Sequence, residues 1–138
     1  MSRASIQKYK AMKINAAANA NPYELITIVL TNIIGKLSGA KAHIERNDTE
    51  QKGKLISDSI TLVGALQDSL NMNDGGDVSN NLYNLYDYAQ RTLLEANLNN
   101  STELLDVVIE IMRNIKEGWE AIPHDVKEEF LTQKAVNG

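Results

Sequence analysis

His43 and His124 are the only imidazoles in the chain, and no cysteine accompanies them. Metal chemistry and nucleophilic catalysis need such groups at set spacings, and the spacings are absent. Neither histidine sits in Glu-x-x-His, the ligand pattern of di-iron carboxylate bundles. Neither sits in the His-Glu-x-x-His pattern of zinc proteases. There is no Gly-x-x-x-x-Gly-Lys-Ser/Thr loop to cradle phosphates, and Gly75-Gly76 reads as a turn between helices. Asp74 and Asp77 beside it lack the spacing and the closing Glu of a calcium loop. The sequence therefore predicts no catalytic residue, no metal ligand and no cofactor.

His43 carries one competing hypothesis. Histidine phosphotransfer modules are four-helix bundles with an exposed His near a Lys, and Lys41-Ala42-His43 meets that in outline. Such a His is usually followed by an apolar residue and then Lys-Gly, whereas Ile44-Glu45-Arg46 follows here. A plain surface histidine near a helix end is the preferred reading. A homo-oligomeric interaction bundle is the third alternative.

The elements that would position any site are helical. Asn21-Pro22-Tyr23-Glu24 is a helix start: Asn caps, Pro suits the first helical position, and Glu completes a capping box. Leu25, Ile26, Val29, Leu30, Ile33, Ile34 and Leu37 follow at helical spacing, and the pattern runs to about Ile44. Asn47-Asp48-Thr49-Glu50 breaks it and caps a second helix with Leu55, Ile56, Val63, Leu66 and Leu70. The Asn71–Asp77 stretch is a loop. A third helix carries Leu82, Leu85, Tyr86, Ala89 and Leu93 and ends near Asn97. Asn100-Ser101-Thr102-Glu103 caps a fourth with Leu105, Val108, Met112, Ile115 and Trp119, stopped by Pro123. The predicted fold is an all-α, antiparallel up-down four-helix bundle over residues 21–123. An N-terminal arm (1–20) precedes it and a short C-terminal tail (124–138) follows, in a single domain.

Charge is unevenly spread. Residues 1–20 hold four Lys/Arg and no acid, a formal +4, while the other 118 hold ten basic and 18 acidic residues, a formal −8. So acidic a body argues against nucleic-acid binding. The arm is read as folding against that body in preference to an organellar transit peptide, and it lacks the apolar core of a signal peptide. No uninterrupted apolar run approaches the ~20 residues of a membrane span, so no membrane insertion is expected. The absence of cysteine suits a reducing compartment such as the cytoplasm.

At about 100° per residue the apolar arcs differ in width. The third helix has a core-sized stripe, with Tyr83 and Tyr88 at its edges as contact candidates and Tyr86 within it. On the first, Leu25 and Ile34 lie about 180° apart with Ile26, Leu30 and Ile33 between them. On the fourth, Val107 and Ile109 flank roughly 200° containing Leu104, Ile111 and Ile115. Both arcs exceed what one core needs, so an apolar partner, the arm, the tail or a second copy is expected to cover the surplus.

Five stretches together resemble the flagellar secretion chaperone family, the FliS-type escorts of flagellin. Asn21-Pro22-Tyr23-Glu24-Leu25-Ile26 resembles its Ser-Pro-x-x-Leu-Ile helix start, and Asp74-Gly75-Gly76-Asp77 its acidic loop. The most specific is Asn81-Leu82-Tyr83-Asn84-Leu85-Tyr86-Asp87-Tyr88 followed by Leu93-Leu94-Glu95-Ala96-Asn97. Arg113 with Trp119, and Ile6 with Tyr9, complete the match. Val29-Leu30-Thr31-Asn32 departs from it, standing where the family commonly has Leu-Tyr/Phe-Asp-Gly. The resemblance implies a non-enzymatic cytoplasmic chaperone that binds the disordered C-terminal segment of flagellin as helices. It would block premature polymerisation and bring the subunit to the cytoplasmic domain of the export-gate membrane protein of the type III apparatus. Ile6 and Tyr9 would then belong to an arm that covers the groove or meets the gate. Leu82, Leu85, Tyr86, Ala96, Asn97, Arg113 and Trp119 would hold the scaffold. The expected partner-binding set is Ile6, Tyr9, Ile26, Leu30, Ile34, Tyr83, Tyr88, Leu104, Val107 and Ile109, and a homodimer is a further expectation.

Overall fold

The computed structural model describes residues 21–130. The arm, with Ile6 and Tyr9, and the end of the tail lie outside these residues. Four long helices run α1 (Pro22–Glu45), α2 (Thr49–Asp68), α3 (Gly76–Asn99) and α4 (Thr102–Ala121), followed by a short α5 (His124–Lys127) and a 3-10 turn (Glu128–Phe130). Each long helix packs on its neighbour in sequence and α1 closes the ring against α4, giving the up-down-up-down bundle that the periodicity predicts.

The caps explain where the helices begin and stop. The Asn21 Oδ1 accepts from the backbone N–H of Tyr23 (3.0 Å) and Glu24 (2.8 Å), with Pro22 at the first helical position. Asp48 caps α2 through Gln51 N, and Ser101 caps α4 through Leu104 N. α3 runs to Asn99, beyond the expected end near Asn97, because Asn100 rather than Asn97 takes the left-handed turn (φ 50°). Before α3, a Cβ on Gly75 would stand 2.6 Å from the Asn71 carbonyl oxygen and closer still to Ser79, so only glycine fits that turn.

The core is a continuous layer in which Val29, Leu30, Ile33, Leu37, Ile56, Leu62, Leu93, Leu105 and Met112 are wholly buried. By length and composition α1 could cross a membrane, which counting uninterrupted apolar runs misses. In the fold Leu25, Ile26, Val29, Leu30, Ile33, Leu37 and Ala40 of this helix are instead buried in the bundle.

One cation lies inside. Lys52 is buried, and its ammonium donates to the Asn97 carbonyl oxygen at 2.9 Å. That carbonyl is in the last turn of α3, where the helix dipole is negative, so the lysine satisfies an otherwise unused acceptor. Lys52→Met is expected to lower unfolding free energy by about 1–2 kcal/mol, measured by urea denaturation.

Candidate functional site

At the end of the bundle where α1 and α4 meet the tail, an apolar groove of about 340 Å³ opens between α3 and α4. Val78, Leu82 and Leu85 of α3 form one wall; Asn114, Ile115, Gly118 and Ile122 form the other. Its floor includes Ile26, Leu66, Tyr86 and Trp119, so residues from all four long helices build it. The groove opens where α3 presents Val78, Leu82 and Leu85. Further along, the buried small residues Ala89 and Ala96 line the core-facing side of α3. Gly118 is exposed, and a Cβ there would meet nothing within 4 Å, which leaves that wall low.

Trp119 anchors this end. Its Nε1 donates to the Tyr23 carbonyl oxygen at 3.0 Å, tying α4 to the first turn of α1. The ammonium of Lys127 lies 5.0 Å from the centre of its ring, a cation–π distance. Burial, then the charge and hydrogen bond of Glu128, raise the pKa of the Tyr23 phenol. Burial alone pushes the Tyr86 phenol up, so both tyrosines stay neutral at ordinary pH. A groove with this lining can hold an apolar helix face; it has no nucleophile or general base of its own.

The expected contact residues scatter. Ile26 lies on the groove floor. Leu30 is fully buried and Ile109 is 5% exposed, so neither presents an open surface to a partner. α1 packs on α2 and α4, and α4 on α3 and α1. Ile34 and Leu104 are half-buried against the core. Tyr83, Tyr88 and Val107 are exposed. The groove itself thus shares only Ile26 with the expected set.

Leu94 and Leu98 were missed. They are the most exposed large apolar residues described, at 55% and 83%, and lie with Tyr83 within roughly 60° on the outer side of α3. The signal was present, since both fall outside the main α3 stripe at i, i+4 spacing. His43 is half-buried, its Nδ1 3.2 Å from the Asp48 carboxylate, beside a small polar notch at the opposite end of the bundle. Among the described residues no three His, Asp or Glu side chains converge on a metal-sized site.

Among the described residues the molecule is a helical bundle with an open apolar groove. The family described as flagellar protein FliS matches residues 5–126. The chain is 35% identical over 121 residues to flagellar secretion chaperone FliSB of Pseudomonas aeruginosa, covering 87% of this chain and 96% of the relative. It is 33% identical over 122 residues to flagellar secretion chaperone FliS of Vibrio cholerae, covering 88% and 90%. The Salmonella typhimurium FliS is 32% identical over 119 residues, covering 85% and 88%. The chain belongs to the FliS family of flagellar secretion chaperones, which are not enzymes.

Proposed function

We propose that this protein is the cytoplasmic export chaperone of a flagellin. It holds the disordered C-terminal segment of the subunit as amphipathic helices, prevents premature polymerisation, and passes the subunit to the cytoplasmic domain of the export gate. The observation that carries this is the open apolar groove between α3 and α4 in a chain of the FliS family. Helix-in-groove recognition needs an apolar trough with a polar rim, which the exposed Asn114 supplies beside the aliphatic walls. Burial contributes about 25 cal/mol per Å² of apolar area, partly offset by ordering the client, so the complex stays releasable.

Tyr83, Leu94 and Leu98 offer a second apolar track outside α3 for a client that extends beyond the groove. Tyr88 and Val107 are further exposed contacts, Ile34 and Leu104 edge contacts, and Ile6 and Tyr9 contacts made through the arm. The test is titration of the full chain with a peptide of the flagellin C-terminal segment, followed by circular dichroism. Added helicity with binding at about micromolar concentration or tighter is expected for an interface of this kind. No binding at that concentration overturns the proposal, and a tight self-associated dimer that ignores the peptide would point to the homo-oligomeric alternative.

A further inference from the structure

The tail closes over the lower end of the same groove. After Pro123 the chain makes the four residues of α5, then the 3-10 turn, and Phe130 arrives as a lining residue of the groove. The contacts that hold it there come from three separate helices or loops. The backbone N–H of Asn71, in the α2–α3 loop, donates to the Phe130 carbonyl oxygen at 3.0 Å. Lys127 lies on the Trp119 ring of α4, and the Glu128 carboxylate lies near enough to the Tyr23 phenol of α1 to help raise its pKa. The Phe130 ring packs half-buried against the core.

A four-residue helix with no side-chain cap cannot hold its shape alone, so these few contacts decide where the segment sits. Each is a single hydrogen bond, one cation–π contact or one ring, and all are replaceable. An amphipathic client helix reaching Leu82, Leu85 and Ile122 would compete for the space that Phe130 fills. We infer that residues 124–130 form a displaceable strap, with Phe130 as an internal occupant of the client groove that docking must expel. This rests on the groove being the client site, and it adds that the free protein is partly self-blocked.

The strap masks affinity in proportion to the time it is closed: closed about nine-tenths of the time, it weakens the apparent dissociation constant about tenfold. Phe130→Ala in the full chain is therefore expected to raise the fluorescence of added anilinonaphthalene sulfonate and to tighten binding of the flagellin C-terminal peptide by up to about tenfold. Lys127→Gln removes an anchor without touching the groove wall, and the same two changes are expected in smaller measure. It decides the matter should the phenylalanine variant fold poorly. Emission from Trp119, the single tryptophan, should shift to the red when Lys127 leaves its ring. Unchanged dye signal, or weaker peptide binding in both variants, would make Phe130 a wall of the site and overturn the strap. If the peptide fails to bind even the unaltered protein, the client assignment falls, while the dye response still tests the strap.

Discussion

Gly118→Leu is expected to weaken binding of the flagellin C-terminal peptide at least about tenfold, some 1.4 kcal/mol, while making the free protein more stable. The two effects have separate causes. Gly118 lines the groove, and its missing Cβ opens onto free space, so an isobutyl group there fills volume a client side chain would otherwise take. The same residue is an exposed glycine inside a helix, where leucine gains roughly 0.5–1 kcal/mol of helix propensity. Gly35→Leu is the control, because Gly35 is likewise exposed within a helix with nothing within 4 Å of its would-be Cβ, and it is not a lining residue of the groove. Both variants should gain thermal stability and only Gly118→Leu should lose the peptide. Undiminished binding by Gly118→Leu would place the client elsewhere.

Leu30→Ala is expected to cost about 3–4 kcal/mol of unfolding free energy, a large share of the stability of a domain this size. Leu30 is fully buried and belongs to the continuous core, so truncation leaves a cavity that the four packed helices can only partly close. Val107→Ala provides the contrast. Val107 is 40% exposed, and its loss should change stability by no more than about 0.5 kcal/mol. Urea denaturation measures both. A small effect at Leu30 would return it to the accessible surface and with it the possibility of client contact. As the structure stands, Leu30 packs inward.

Much of the architecture was legible because local chemistry and periodicity agree. Asn21-Pro22, Asp48 and Ser101 each cap the helix they precede, and the apolar spacing of each segment marks its inward face. The lack of catalytic spacing was equally plain, since ligand and nucleophile patterns are properties of residue type and interval. The motif from Asn81 to Asn97 was enough to suggest the family to which the chain belongs.

The place of the groove was not legible. A helical wheel shows how wide an apolar arc is, but not how many neighbours cover it. The arcs of α1 and α4 are the broad ones, yet Leu30 and Ile109 within them are buried. The opening formed instead on the core-sized stripe of α3, at Leu82 and Leu85, opposite a glycine whose absent side chain carries no periodic signal. Nor could pattern alone bring Phe130 to the groove beside Leu70, which lies distant in sequence. Helix type and inward face follow from interactions within a few residues, so the sequence by itself determined them. Which apolar surface stays open depends on packing between segments far apart in the chain, and only the tertiary structure decided that.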